Sequence, residues 1–170
     1  MVPTSLALAL SSAPVIGFSG SRSSVPAVAS SVAALVSCPV MVGCAAGVDS
    51  FFRGCFPAAR VFSAAESGVF GRVAYALRSV AFVRAVATGG GVLVSLPSSA
   101  CPCGLLPSAS SSRAFCGSGS GSWASLAFAV GSGVPCFVFA PFGVPSGWGF
   151  VASGGDWFSF SPAAVQSSLF

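Results

Sequence analysis

The chain has no lysine, no histidine and no asparagine. One tyrosine, one glutamine, two aspartates and one glutamate complete the shortage in 170 residues. All of these amino acids use codons with adenine in the middle position, which points to a base-biased gene. Missing lysine therefore carries little functional weight, while the surviving charges carry more. The missing histidine excludes chemistry. Serines are plentiful, but none has an imidazole to activate it as a nucleophile. A hydrolytic base would have to be Asp49, Glu66 or Asp156. Clustered carboxylates and Cys/His sets are also lacking, so no metal site is expected.

Charge is scarce too. Only 6% of residues are charged, against about 25% in an average soluble domain. Seven arginines outweigh three acids for a net charge of +4. They are spread along the chain, without the dense basic patch of a strong duplex-DNA binder. Arginine does suit bidentate phosphate contacts.

Mean hydropathy is high at +0.91, yet long unbroken apolar runs are missing. A membrane-spanning helix needs about 20 such residues. Val69–Val86 is interrupted by Arg72, Arg78 and Arg84, which put charge on three sides of a helix. The uncharged run Trp123–Pro141 is broken by GSGVP. The expectation is a chain that does not enter the membrane. The first fourteen residues, MVPTSLALALSSAP, resemble a secretory leader but lack its positive start. A cytoplasmic protein is expected.

Seven cysteines occupy positions 38, 44, 55, 101, 103, 116 and 136. An odd number, several in or beside apolar runs, reads as free thiols in a reducing compartment. Cys101-Pro102-Cys103 is the one close pair. With no histidine and no second pair, zinc has little support, and a redox role stays open.

Short apolar runs alternate with Ala-rich amphipathic ones. Strands are expected at Pro14–Phe18, Pro39–Gly43, Ala59–Ser63, Gly91–Leu96, Arg113–Cys116 and Val134–Ala140. Helices are expected from Ser24, as a cap, to Ser37, and over Val48–Cys55, Val69–Ala87 and Ser122–Val130. Pro97–Ser111 reads as a loop. The tail adds one strand at Trp157–Phe160 and a short final helix after Pro162. Apolar strands without polar alternation, most followed by helices, specify an α/β, doubly wound, mainly parallel sheet, Rossmann-like, with helices on both faces. Residues 1–140 form this domain, and 141–170 are an aromatic, glycine-rich extension packed on it.

Ligands in such sheets bind at the carboxyl ends of the strands. Three loops there carry candidate binding residues. The first offers Gly20, Ser21 and Arg22, with backbone amides and a guanidinium for phosphate. The second runs Gly43-Cys44-Ala45-Ala46-Gly47-Val48-Asp49. Its candidates are Gly43, Ala45, Gly47 and Asp49, and Asp49 either caps the next helix or accepts from a ribose or base. The third is Gly117, Ser118, Gly119, Ser120, Gly121 and Ser122, set between an expected strand and a helix start. That geometry gathers amides around an anion; a flexible linker is the plainer alternative.

The other arginines divide by position. Arg53 lies beside a glycine loop and, like Arg22, is a ligand candidate. Arg113 is expected at the same edge. Arg72, Arg78 and Arg84 read as solvated helix residues whose stems cover apolar surface, and Arg60 as a strand-start surface residue. Phe142, Trp148, Phe150 and Trp157 read as core or interface residues, with base stacking as the alternative.

The runs VIGFSGSR, VMVGCAAGVD and GSGSGSWASLAFAVGSGVPCFVF resemble the SLOG superfamily, which includes DprA-like and lonely-guy (LOG) proteins. DprA-like loops read G-S-R and G-x-A-x-G-[IV]-D, as Gly20–Arg22 and Gly43–Asp49 do here. The resemblance spans roughly residues 14–140. It implies a nucleotide or nucleic-acid phosphate pocket and a homodimer. LOG enzymes carry a motif similar to PGGxGTxxE, and aligning the glycine loop puts Ser125 at the position of its glutamate. DprA-like proteins usually place a histidine soon after the second loop; here that segment carries Arg53. The expectation is a binding or sensing domain for a nucleotide-type ligand, without cofactor. Single-stranded nucleic-acid binding, or hydrolysis using Asp49 or Glu66, are the alternatives.

Overall fold

A computed structural model describes residues 1–163. Seven strands form one sheet in the order β3-β2-β1-β4-β5-β7-β6. They are β1 (Ile16–Gly20), β2 (Val40–Gly43), β3 (Arg60–Phe62), β4 (Val92–Leu96), β5 (Cys136–Phe139), β6 (Val151–Gly154) and β7 (Trp157–Phe160). The first five are mutually parallel, and β7 and β6 join antiparallel beyond β5. The chain steps outward from β1 to β3, then returns to the other side of β1 as β4. That reversal between β1 and β4 is the switch point of a doubly wound, Rossmann-like fold.

Helices cover both faces. On one lie α1 (Thr4–Ser12), α2 (Val28–Ala33) and α3 (Val48–Cys55); on the other lie α4 (Arg72–Thr88) and α6 (Gly121–Gly131), with the short α5 (Ser111–Ala114) against α6. Strand residues divide by parity. Ile16, Phe18, Val94 and Leu96 enter the core under α1–α3, while Leu93, Cys136 and Val138 enter the core under α4 and α6. Gly17 explains how closely α4 sits. A Cβ there would come within 2.5 Å of Val86 Cγ2 and 3.0 Å of the Phe82 ring.

Several expectations need correction. Arg113–Cys116 is not a strand. Ser111–Ala114 makes one helical turn, and the place beside β4 goes to Cys136–Phe139, which pairs with Leu93–Ser95. The helix expected from Ser24 to Ser37 shrinks to Val28–Ala33, because Ser21 Oγ accepts the amides of Ser23 and Ser24 and closes that stretch as a loop. Thr4–Ser12, read only as leader-like, is a helix that buries Leu6 and Leu10. The tail contributes two strands, Val151–Gly154 as well as Trp157–Phe160, and so extends the same sheet. The helix expected after Pro162 falls almost wholly outside the described residues. Among the described residues no helix is long and apolar enough to cross a membrane.

Candidate functional site

The loops after β1 and β2 meet the α6 N-terminus around one cavity of about 560 Å³. It sits at the carboxyl ends of the strands on the face covered by α4 and α6. Gly20, Ser21, Arg22, Gly43, Ala45 and Asp49 line it from one side. Gly117, Ser118, Gly119, Ser120, Gly121 and Ser122 line it from another. Of the expected loop residues, Gly47 does not line it, and neither does Arg53.

Ser21 shows how the first loop is built. Its amide donates to Leu96 O at 3.0 Å, locking the end of β1 to the end of β4. Its carbonyl accepts from the Val48 amide at 2.9 Å, and its hydroxyl accepts the Ser23 and Ser24 amides. Ser21 was expected to offer its amide to a ligand; that amide is already taken. Arg22 is exposed and lies over the Tyr75 ring, 4.2 Å from the centroid.

The second loop is held from behind. Gly47 has φ +67, and a Cβ there would run into the backbone of Ser21 and Arg22. Only glycine combines that backbone with that approach. Gly47 thus clamps the two loops together. Arg53 Nη1 donates to Gly43 O at 2.7 Å and Ala45 O at 2.9 Å. Arg53 therefore shapes this loop and does not line the cavity, contrary to the ligand role expected for it.

Asp49 is 6% exposed and does not cap α3. Its Oδ2 accepts from the Ala45 amide at 3.1 Å and pairs with Arg78 Nη1 at 3.2 Å. Burial pushes its carboxyl pKa above the ordinary value, outweighing Arg78, the Ala45 amide and the more distant Arg53 and Arg22. Gly43 makes room for this pair, since a Cβ there would strike both Asp49 Oδ2 and the Arg78 guanidinium.

Arg78 was expected on the solvated face of its helix; its side chain is 10% exposed and lines the cavity. The signal was present in the sequence. Arg78, Phe82 and Val86 recur every four residues, and Phe82 and Val86 are the side chains that pack over Gly17. Arg72 also lines the cavity, from the first turn of α4. Arg84 and Arg60 stay exposed as expected, over Phe128 and Phe62. Arg113 and Glu66 do not reach the cavity.

The third loop turns through Gly117 (φ +82) and Gly119 (φ +109). Ser120 then caps α6, its hydroxyl accepting from the Trp123 amide at 3.4 Å. Among the described residues, nothing takes the amides of Gly117, Gly119, Gly121 or Ser122. Helix starts leave such amides open and carry a partial positive charge. The Trp123 indole donates to Ser99 O at 2.8 Å and fixes the rim. Of the tail aromatics, Trp148 and Trp157 are core residues, and none of the four lines this cavity. Three arginines and a helix N-terminus thus face one carboxylate, which is itself paired.

The chain matches no protein-family model, no curated protein and no solved structure.

Proposed function

We propose that this chain binds or senses a nucleotide-type phosphorylated ligand, in the manner of the SLOG domains its loops resemble. The observation that carries the reading is the set of open α6 amides across one cavity from Arg22, Arg72 and Arg78. A phosphate there gains charge-assisted hydrogen bonds from both sides. The cavity has the size of an ordinary small-molecule site, roughly 300–1,000 Å³. Binding without catalysis fits the chemistry present. No imidazole is available, Ser125 donates to its own helix at Gly121 O, and Glu66 lies outside the cavity. Asp49, held by Arg78 and Ala45, is the one base left to a hydrolase reading. A homodimer in the cytoplasm belongs to the same proposal.

The test is calorimetric titration with AMP, with AMP turnover followed by chromatography. Arg22→Ala is expected to weaken binding by about 1 kcal/mol, the lower part of the charged hydrogen-bond range because Arg22 is exposed. Gly119→Val is expected to abolish binding and to lower the melting temperature modestly, since a side chain at φ +109 is strained and the loop must rearrange while the sheet stays folded. Normal binding by both variants removes the site. A second reading, single-stranded nucleic acid, is favoured by one observation: the Arg22–Tyr75 stack at the mouth is a platform for a base. It predicts oligonucleotide affinity that falls steeply with salt, where the mononucleotide reading predicts none.

A further inference from the structure

We propose that Arg22 and Tyr75 form a base subsite at the mouth of the cavity: the guanidinium, seated over the tyrosine ring, stacks its outer face on a nucleobase. This rests on the phosphate reading above and narrows the ligand to a nucleoside phosphate, held far better than a sugar phosphate that lacks a base. Arg22 Cζ lies 4.2 Å from the Tyr75 ring centroid, and Arg78 Cζ, buried deeper, lies 5.8 Å from the same ring. Arg22 and Tyr75 both line the cavity and both are exposed, so the guanidinium face turned away from the ring is open. No acid competes for Arg22. Asp49, the one acid that lines the cavity, is taken by Arg78.

The chain holds Arg22 in place from both ends. A Cβ on Gly47 would run into the Arg22 backbone, so the two loops are in close contact there. The Ser21 hydroxyl accepts the next two amides, those of Ser23 and Ser24, and closes the turn that carries Arg22. The Tyr75 ring then fixes the side chain. A long side chain oriented before the ligand arrives loses less freedom on binding. A guanidinium is planar and stacks on flat rings, which a lysine ammonium cannot do. Stacking reads the plane of a base and not its edge, so every base is accepted, and purines, with the larger face, are held best. The phosphate then falls to Arg72 and the open α6 amides, which line the same cavity. Tyr75 is a positioning residue that acts through Arg22.

The experiment titrates the full chain calorimetrically with AMP, UMP and ribose 5-phosphate. Wild type is expected to bind AMP about tenfold or more tighter than ribose 5-phosphate, with UMP between them. Arg22→Lys keeps the charge and loses the plane. It is expected to bring AMP down to the level of ribose 5-phosphate, whose own affinity stays close to wild type and shows that the site is folded. Tyr75→Leu is expected to do the same, and Tyr75→Phe to restore the preference for AMP. Ribose 5-phosphate bound as tightly as AMP by wild type overturns the base subsite and leaves the phosphate site standing. An Arg22→Lys or Tyr75→Leu variant that keeps the full preference for AMP also overturns it. If wild type binds none of the three, the phosphate reading falls and this proposal with it.

Discussion

The two faces of the sheet are made by the same strands and differ in what those strands send into them. Under α1–α3, β1 contributes Ile16 and Phe18, and β4 contributes Val94 and Leu96. Phe18 stacks on Phe52 with ring centroids 3.7 Å apart. That face is closed to the carboxyl edge. Under α4 and α6, the alternate residues of the same strands are Gly17, Ser19, Leu93 and Ser95. There Gly17 lets Val86 and Phe82 pack on the strand, Ser95 is fully buried, and Ser19 near the carboxyl end of β1 lines the cavity. Side-chain volume, alternating with the pleat, builds a wall on one side and a hole on the other.

Removing bulk from the wall gives the largest effect. Phe52→Ala is expected to cost about 3–5 kcal/mol, measured by urea denaturation, with nucleotide affinity unchanged in the folded fraction. A loss below about 1 kcal/mol would mean that this face is loosely packed, against the contrast with the other.

The next effect breaks the charge pair at the mouth of the hole. Asp49→Ala leaves the Arg78 guanidinium without its carboxylate, and about 3 kcal/mol is expected to be lost. The buried carboxyl also has a pH signature. Asp49 has a folded-state pKa raised above its ordinary 3.8. Protonation of Asp49 therefore favours the folded state: this stabilisation, which belongs to the neutral carboxyl and not to the ion pair, is complete below 3.8 and is lost as pH rises through the folded pKa. Denaturation of wild type and Asp49→Asn across acid pH should show this slope in wild type alone. A slope that survives the substitution assigns it to another group.

A smaller change tests how tightly α4 is seated. Gly17→Ala places a Cβ against Val86 and Phe82 and is expected to cost about 1–3 kcal/mol. Thermal melts check it, and an unchanged melting temperature means the helix moves aside freely. The smallest effect is on the polar side of β4. Ser95 is fully buried, and its hydroxyl has no hydrogen-bond partner among the described residues. Ser95→Ala is expected to be neutral or stabilising by up to about 1 kcal/mol. Clear destabilisation would reveal a partner for that hydroxyl.

The contrast between the faces was only half legible in the sequence. Parallel strands covered on both sides read as continuous apolar runs. The sheet could be placed from VIGF and VLVSL, but which residue faced which helix layer could not. The glycine loops were legible because turns at positive φ demand glycine, as at Gly47 and Gly119. Arg113–Cys116 misled because a four-residue run satisfies a strand or a helical turn equally, and pairing with β4 decides. The strand Val151–Gly154 was hidden by its glycine, Gly154, and by a bulge between Ala152 and Gly154. Arg78 hides among arginines spaced by six, a spacing that reads as surface charge. Its register with Phe82 and Val86 pointed inward.

Everything functional rests on open amides at the start of α6 meeting an anion shared with the arginines. Amide NMR of nitrogen-labelled protein during AMP titration tests this most directly. Gly117, Gly119, Gly121 and Ser122 should shift together and saturate at one ligand concentration, along with the Arg22 side chain. Binding that leaves those four amides unmoved, or no binding at all, contradicts it.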